Sequence, residues 1–435
     1  MCTVLCSMIR MLKSYERYCA YDHCRLPMPW FIWNRRTDPA SALRRRVMEL
    51  DWGAPLATAG AGEKCFAAVL HAARAGREIV LCWRRKSGEC RRGFGVSRIR
   101  QLVTLAYVAF RYNFPPSLYY RARLFRVPRE RWLAAFSHTE VMTGLLILER
   151  RTEHLDVWSK QGWSRFCARH GLRTVPTVAG VVGGQFVVKD AAALEAGDDL
   201  FIKPDIGWAS KGTILLEWRA KEGGWQASGE REGFVAKGAL AEFVSAAAGA
   251  ADVLVQPRLR THASLADLAT RALINVRVLT IRATDGTVSV FSAALRIPGH
   301  EEHCSDVATG FFVPVDGESG VMGYAEGLDM SGGELAVHPV TKARIYGRVI
   351  AQWPQMRAQA LAAHALLPEV PAVGWDLVPT EAGVLILEAN VTWSTNLVQV
   401  RGLALLGESA WPAAMLAYLA DERPKADSGQ KGSSA

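Results

Sequence analysis

Three oxygen-bearing side chains lie near each other in the β-hairpin that the sequence predicts over residues 374–390. A turn centred on Ala382 places Asp376 opposite Glu388. Glu388 and Asn390 are two residues apart, so a strand directs both side chains to one face. Carboxylate and amide oxygens suit Mg²⁺ when phosphates and water complete its coordination shell. The hairpin therefore predicts a divalent metal site, with an ordinary hairpin and solvated acids as the alternative.

A lysine-containing loop is the second candidate site. Lys203 ends an apolar strand and leads into the loop 204–212, which contains glycine, serine and a second lysine, Lys211. Backbone N–H groups in such loops bind phosphate oxygens, and lysines neutralise the phosphate charge. The segment does not match the GxxxxGK[ST] pattern. The loop is therefore either a phosphate-binding loop or an ordinary surface loop.

Two more segments combine apolar strands with polar groups. The strand 253–256 is stopped by Pro257, and an adenine ring could hydrogen-bond to exposed backbone there. By itself this pattern indicates only the end of a strand. Arg277 and Arg296 lie within apolar strands, and a buried guanidinium must meet an anion. That anion is either a bound phosphate or carboxylate, or an acid of the same chain.

The elements that carry these residues alternate irregularly between strands and helices. Helices are predicted over 154–171, 238–248 and 341–367, and strands over 275–283, 288–296 and 311–314, besides the hairpin and the strands already named. Regular βαβ alternation is absent, so the pattern indicates an α+β fold and not a doubly wound sheet. The chain of 435 residues is long enough for two or three domains. We divide it into a basic, mainly helical region (1–135), an α+β domain (136–410), and a helix end with a disordered polar tail (411–435).

Positive charge is concentrated near the amino terminus. Residues 1–150 carry 26 Lys and Arg against 11 Asp and Glu, a net charge of +15, within a chain whose total is +10. A basic face can meet nucleic acid, an anionic membrane surface or an anionic substrate, and it can also be a solvated surface. The basic clusters lack the regular aromatic residues of a single-strand binding groove, so nucleic acid is not the expected partner.

The remaining bulk features indicate a soluble, cytoplasmic protein. The longest later apolar run, residues 102–110, is far shorter than the roughly 20 residues that span a bilayer. The first residues do not have the pattern of a signal peptide. Cys19 and Cys24 flank His23 and allow a metal site, but reduced thiols are the simpler interpretation.

Taken in order, these motifs resemble the ATP-grasp superfamily over roughly residues 140–405. The matching positions are Lys160 and Lys203 for its two nucleotide lysines, Leu254, Val255 and Gln256 for its adenine hinge, and Asp376, Glu388 and Asn390 for its metal motif. Within the superfamily the chain is similar to the sugar-transfer-associated group, which is related to α-L-glutamate ligases. The positions that carry this similarity are the strand 275–277, Arg296, His338-Pro339, 374–376 and 390–393. Gln256-Pro257 departs from the pattern, since many members carry a glutamate there that binds the ribose.

The resemblance implies a fold of two α+β lobes that enclose ATP. It assigns the phosphates to Lys160, Lys203 and Lys211, one or two Mg²⁺ (or Mn²⁺) ions to Asp376, Glu388 and Asn390, and the reacting acyl group to Arg277 and Arg296. The implied reaction is ATP-dependent ligation of a small-molecule carboxylate to an amine or a thiol through an acylphosphate. The expected product is an amide, which contains a new C–N bond.

Two other functions remain open at this point. The same fold would also serve a kinase that phosphorylates a sugar or another acceptor, or a non-catalytic nucleotide-binding module. The name of the group is the only ground for a link to polysaccharide or cell-surface sugar biosynthesis. It also suggests a glycan, besides an anionic surface, as a partner for the basic N-terminal region.

Overall fold

The N-terminal part of the chain is helical. The computed structural model describes residues 36–57, 60–207, 212–269, 272–299, 310–327, 330, 332–395, 399 and 404–420. The first helices are α1 (Pro39–Ala57), α2 (Ala61–Phe94), α3 (Arg98–Tyr112), α4 (Pro116–Arg121) and α5 (His138–Arg151). The prediction of a mainly helical N-terminal region is confirmed for its described residues, which begin at residue 36. Among the described residues, no helix has the length and apolar character needed to cross a bilayer.

Local sequence explains where α3 begins and ends. The Ser97 side chain accepts a hydrogen bond from the Arg100 N–H and caps the helix. Asn113 follows the helix in the left-handed conformation, which asparagine tolerates better than most residues. Pro116 then starts α4, because proline fits the first turn of a helix. The chain therefore turns sharply between α3 and α4, and both helices share one hydrophobic core.

A buried ionic contact joins α1 to α5. Ser137 and Glu140 form a capping box at the start of α5. Glu140 also accepts a hydrogen bond from Arg44 Nε at 3.2 Å, and the same guanidinium donates to the carbonyls of Leu133 and Ala135. The buried arginine is thus surrounded by acceptors, as its desolvation requires.

The first sheet, called here the N-terminal sheet, carries Lys203. Its elements and those before it are α6 (Lys160–His170), β1 (Ala179–Val182), β2 (Gln185–Val188), α7 (Ala191–Glu195), β3 (Leu200–Pro204), β4 (Ile214–Arg219), β5 (Gly224–Gly229), β6 (Gly233–Ala236), α8 (Leu240–Ala248) and β7 (Val253–Pro257). The strand order is β2-β1-β7-β3-β4-β5-β6. One face packs on α8 through a core that includes Val244, Val253 and Val255. Lys203 and Leu254 lie on the opposite face of the sheet, which is called here the cleft face because the resemblance places ATP there.

The second sheet, called here the C-terminal sheet, carries the predicted metal residues. Its elements are β8 (Asn275–Arg282), β9 (Val288–Ile297), β10 (Phe311–Val315), β11 (Glu326–Gly327), α9 (Trp353–Ala365), β12 (Ala372–Thr380), β13 (Gly383–Asn390) and, after it, α10 (Trp411–Ala420). The strand order is β11-β10-β9-β8-β12-β13. All nine residues of β12 are buried. Helix α6 also packs here, with the Trp163 indole donating to the Ile386 carbonyl at 3.2 Å.

The N-terminal helices are attached to the far edge of the C-terminal sheet by ion pairs. Arg123 Nε lies 2.9 Å from Glu326, and both side chains are nearly inaccessible to solvent. Arg126 bridges Glu326 and Glu334 at 3.4 and 2.8 Å. The helical region is therefore fixed to the edge strand β11 and not merely tethered to it by the chain.

The predicted α+β class is confirmed, and every strand pairing in the described chain is antiparallel. The helix predicted over 341–367 was wrong at its start, because α9 begins only at Trp353. Lys342 and Gly347 both adopt positive φ angles, which no α-helix accommodates. Residues in this stretch instead form isolated β-bridges, including Val337 with Arg344. Tertiary pairing therefore overrides the local helical pattern.

Candidate functional site

The register of the β12–β13 hairpin brings the three candidate metal residues together. Asp376 pairs with Glu388, and Gly374 pairs with Asn390. Directly opposite residues of an antiparallel pair direct their side chains to the same face, about 5 Å apart. The predicted pairing of the two acids is confirmed.

A β-bulge produces this pairing. The turn is tighter than the sequence predicted, since Thr380 pairs with Gly383. Continued without interruption, that register would place Asp376 opposite Leu387 and direct Glu388 to the other face. The ladder shifts by one residue next to Asp376, and this shift returns Glu388 to the face of Asp376.

Arg277 extends the row of charged residues to a third strand. It pairs with Asp376 across β8 and β12, and its Nε and Nη2 lie 2.6 and 2.8 Å from the two carboxylate oxygens. Both side chains are largely buried, and two parallel charge-assisted bonds fix the carboxylate plane. The internal salt bridge that the sequence left open for Arg277 is therefore present. Its partner is one of the candidate metal ligands, so the arginine belongs to the site.

The two paired acids have opposite electrostatic environments. Burial raises the pKa of Asp376, but the charge and hydrogen bonds of Arg277 outweigh burial and hold that pKa below its usual range. Burial and the neighbouring Asp376 carboxylate raise the pKa of Glu388, while the charges of Lys160 and Lys203 partly offset this rise. A second cation beside Glu388 would therefore remove an electrostatic cost that the protein alone leaves uncompensated.

The donor set fits a hard divalent ion. Asn390 Nδ2 lies 3.3 Å from Glu388 Oε1, so the amide sits beside the carboxylate. Among the described residues, no three His, Cys, Asp or Glu side chains are grouped so that they would hold a metal by themselves. Two carboxylates and an amide supply only part of a coordination shell. This is the usual situation for Mg²⁺, which keeps water and substrate phosphate as its other ligands.

Lys160 is the first residue of α6. The loop that follows β3 contacts this end of the helix. The Ser159 side chain caps the helix by accepting the Gly162 N–H. Lys160 Nζ donates to the carbonyls of Asp205 and Gly207 at 3.1 and 3.4 Å. The ammonium group is therefore held against the first residues of the predicted phosphate loop.

Asp205 is a positioning residue that sequence analysis missed. Its Oδ1 accepts the Gln161 N–H at 2.7 Å, while its backbone carbonyl accepts the Lys160 ammonium. One residue thus fixes the lysine of α6 relative to the loop after Lys203. The signal in the sequence was an acid two residues after Lys203, at the beginning of a glycine-containing loop.

Asp376, Glu388 and Asn390 are called here the acidic row, and Lys203 of the N-terminal sheet interacts with both of its carboxylates. It pairs with Leu254 at the end of β3. Burial is the main cause that lowers the pKa of Lys203, the charge of Glu388 partly opposes it and the charge of Lys160 adds to it, and the pKa is about 8 as a result. Two lysines and two carboxylates therefore interact across the cleft. Such an arrangement can hold a polyanion together with a cation that neutralises it.

The predicted hinge residues have different environments. Leu254 is buried next to Lys203 on the cleft face of the N-terminal sheet. Val255 lies in the hydrophobic core, and its carbonyl accepts the Val178 N–H at 2.9 Å. An adenine contact to that carbonyl would have to share this hydrogen bond. The hinge therefore stays a prediction, with Leu254 as its best placed side chain.

Gln256 is buried and already engaged. Its amide nitrogen lies 3.3 Å from the Val175 carbonyl and 3.4 Å from the Thr177 hydroxyl. Binding to a ribose would require the amide to exchange one of these partners. The predicted ribose contact remains untested.

Arg296 lies one row away from Arg277 along the C-terminal sheet. It pairs with Asn275 across β8 and β9, and its charge contributes to the lowered pKa of Asp376. The Asn275 Oδ1 atom is buried and has no hydrogen-bond donor within the described part of the chain. This end of the row therefore places a guanidinium beside an unsatisfied acceptor, and a donor group of a bound molecule can satisfy that acceptor.

Three sequence-based candidates lie outside the described residues. Lys211 falls in the gap 208–211, and Cys19 and Cys24 fall within 1–35. The polar tail over 421–435, for which the sequence predicts disorder, also lies outside them. These predictions stay as the sequence made them.

Comparison with known proteins gives one family match. The family described as "Sugar-transfer associated ATP-grasp" matches residues 147–410. No curated protein matches the chain.

Several solved structures are similar at low identity. An ADP complex of N5-carboxyaminoimidazole ribonucleotide synthetase shares 14% identity over 55% of this chain and 46% of its own, with a TM-score of 0.31. D-alanyl-alanine synthetase A from Vibrio cholerae shares 9% over 61% and 64%, with a TM-score of 0.35. The biotin carboxylase domain of 2-oxoglutarate carboxylase from Hydrogenobacter thermophilus shares 13% over 66% and 52%, with a TM-score of 0.36. The chain covers less than two thirds of each of these proteins.

Proposed function

Because the chain belongs to the sugar-transfer associated ATP-grasp family, we propose that it is a Mg²⁺-dependent ligase. It uses ATP to join a small-molecule carboxylate to an amine or a thiol, and a C–N bond is the product that we expect. One observation carries the proposal. The buried Asp376 and the half-buried Glu388 interact with the lysines Lys160 and Lys203, which come from the other part of the domain.

The lysines would bind the nucleotide phosphates. Lys160 and Lys203 come from different elements but act on the same carboxylate, Glu388. Lys211 follows on the same loop as Asp205. In this proposal Asp205 keeps Lys160 in position beside the phosphates, and Lys211 is assigned to the phosphates as the sequence predicts. The adenine lies against the cleft face of the N-terminal sheet near Leu254.

The acidic row would hold the metal. Asp376, Glu388 and Asn390 supply the protein oxygens for one or two Mg²⁺ ions, and Mn²⁺ has the same preference for oxygen ligands. Bound there, the metal would neutralise the charge that develops on the phosphate oxygens. Arg277 keeps the Asp376 carboxylate oriented and ionised throughout, since it donates to both oxygens.

The arginines would serve the acyl substrate. A carboxylate oxygen of the substrate takes the γ-phosphoryl group of ATP, which gives an acylphosphate and ADP. The amine or thiol then bonds to the acyl carbon, phosphate leaves with the acyl C–O bond broken, and the nucleophile gives up its proton. Arg296, with Arg277, would offset the negative charge on the acylphosphate. Asn275 lies beside Arg296 and offers its buried oxygen to a donor of the substrate.

The proposed setting is the cytoplasm, where ATP is available. A connection to polysaccharide or cell-surface sugar synthesis follows only from the description of the family. We therefore leave the identity of the acid and the nucleophile to experiment.

The test measures ADP release with Mg²⁺ against pooled carboxylic acids and amines, with hydroxylamine present to trap an acylphosphate as a hydroxamate. Glu388→Gln keeps the shape of the side chain and removes its charge, so we expect turnover to fall by about 10²-fold or more. Glu381→Gln is the matched control, because Glu381 lies exposed in the turn of the same hairpin. It should retain the rate of the wild type.

Three results would contradict the proposal. A phosphorylated acceptor without any hydroxamate would make the protein a kinase. Nucleotide binding without turnover for every acid and amine would make it a binding module. Equal activity of the Glu388 and Glu381 variants would remove the acidic row from the mechanism.

A further inference from the structure

Helix α3 exposes a row of large apolar side chains. Ile99 is 78% exposed and Val103 63%, and Tyr107 and Phe110 follow at 38% and 37%. Their spacing of four, four and three residues places them along one side of the helix. A solvent-facing helix side normally carries polar residues, so this row departs from the usual pattern.

The hydrophobic core of the helical region does not account for this row. The opposite side of α3 packs into that core through Leu105, Val108 and Ala109. Gln101 on that side is also buried and accepts a hydrogen bond from the Tyr120 hydroxyl at 2.9 Å. The helix is therefore fixed on its inner side and leaves the apolar row on the outside.

Arginines border the apolar row. Arg98 and Arg100 flank Ile99, Arg111 follows Phe110, and all three arginines are exposed. In the sequence between residues 79 and 129, Glu89 is the only acidic residue. The surface around the row is therefore positive as well as apolar.

The arginine at the start of α3 is held in place by α2. Arg98 Nε donates to the Ser87 hydroxyl at 2.9 Å, and its guanidinium lies 4.4 Å from the centre of the Trp83 ring. Arg91 and Arg92 at the end of α2 are exposed next to the same turn. The basic border thus comes from two helices whose relative position is fixed.

We propose that this surface, formed by the outer side of α3 and the arginines at the α2–α3 turn, docks on an anionic lipid bilayer. Ile99, Val103 and Phe110 would enter the boundary between headgroups and acyl chains, while the arginines meet lipid phosphates and carboxylates. A nucleic acid would match the charge but would leave the exposed aliphatic side chains in water. An acidic protein surface would likewise match the arginines without covering the whole apolar row. The combination of aliphatic, aromatic and basic residues on one exposed helix matches a lipid surface best.

The experiment is flotation of the full chain with phosphatidylcholine vesicles that contain or lack phosphatidylserine. We expect binding to the vesicles with phosphatidylserine, and at least tenfold weaker binding to the neutral ones. Ile99→Ser with Val103→Ser should lower the binding to anionic vesicles by at least tenfold. Arg100→Gln with Arg111→Gln should weaken the binding and reduce its dependence on salt.

A matched control tests whether vesicle binding depends on the apolar side chains of α3 in particular or on exposed apolar side chains in general. Val188→Ser with Val349→Ser removes two exposed valines, 47% and 53% accessible, that lie outside the helical region. These variants should bind vesicles like the wild type. Circular dichroism and thermal unfolding check that all three double variants fold.

Three outcomes would overturn the proposal. The first is binding that does not depend on phosphatidylserine. The second is equal vesicle binding by the Ile99/Val103 variant and the wild type. The third is a wild-type dimer that the same variant converts to monomer, because a second copy of the chain would then be the occupant of the surface.

Discussion

The β12–β13 hairpin and helix α3 depart from the usual distribution of residues in opposite directions. The hairpin and its neighbour β8 bury Asp376 against Arg277, with each side chain about one tenth exposed or less. On helix α3, most of the surface of Ile99 and Val103 is exposed to solvent. Charges normally stay in water, and large aliphatic groups normally leave it.

The difference teaches what each region lacks. A buried cluster of charge is stable only when opposite charges meet it, and Glu388 has a raised pKa because that compensation is incomplete. An exposed apolar row costs little within the monomer, but it favours contact with a surface that is itself partly apolar. A cation beside the first region would therefore offset its negative charge, and the second region favours an extended partner.

The strongest test of this comparison removes the cation from the buried pair. Arg277→Met leaves Asp376 buried without its partner, so we expect the free energy of unfolding at neutral pH to fall by about 3–5 kcal/mol. Because the pKa of Asp376 is lowered in the folded protein, the stability that this acid contributes is present above its unfolded value of 3.8 and is lost as pH falls through the folded pKa. Urea denaturation at neutral pH measures the loss.

The double variant Arg277→Met/Asp376→Asn is the control for that prediction. It removes both charges, so it should recover part of the lost stability. A single Arg277 variant as stable as the wild type would mean that Asp376 is not electrostatically dependent on its partner. The hairpin would then not differ from an ordinary solvated one.

A second test concerns His364, a buried titratable group that forms no ion pair within the described part of the chain. The Trp375 indole donates to Thr280 Oγ1 at 2.7 Å, and the Thr280 hydroxyl donates to His364 Nδ1 at 2.6 Å. His364 Nε2 donates to the Val370 carbonyl at 2.8 Å. Burial disfavours the charged imidazole and lowers the pKa of His364 to about 4 from 6.5, so the neutral ring is the form that fits this chain of hydrogen bonds near neutral pH.

The lowered pKa of His364 decides the sign of the pH effect on stability. Between pH 6.5 and about 4 the unfolded chain binds a proton at this position and the folded chain does not. Stability therefore falls with falling pH, by about 3 kcal/mol across the window. His364→Gln should flatten this part of the curve in denaturant titrations from pH 7 to pH 4. An unchanged slope in the variant would assign the acid sensitivity to other groups.

The smallest expected effect is on helix α3. Ile99→Ala removes a side chain that is already mostly in water, so stability should stay within about 0.5 kcal/mol of the wild type. Ile281→Ala, a fully buried position on β8, should cost about 2–5 kcal/mol. Thermal and urea unfolding compare the two. A large loss for the Ile99 variant would mean that the row is part of the fold and not a docking surface.

Sequence reasoning went furthest where local rules suffice. The α+β class, the ATP-grasp fold and the opposition of Asp376 to Glu388 were all predicted and confirmed. The turn geometry that pairs Asp376 with Glu388 was not predicted. A tight turn and a β-bulge are present where the sequence predicted a wider turn. Helix α9 was predicted twelve residues too early, because β-bridges and turns of positive φ occupy the preceding segment. Asp205 was missed since its role lies in contacts with another element.

The sequence by itself determined which chemical groups are present and which neighbours along the chain share a face. These follow from the two-residue period of strands and from the residues that start and stop helices. Tertiary structure decided which of the 42 acids meets Arg277, 99 residues away in the chain. It also decided the bulge that returns Glu388 to its partner and the burial that lowers the pKa of Lys203. The physical reason is that desolvation and Coulomb energy depend on distances through space, which only the packed chain sets.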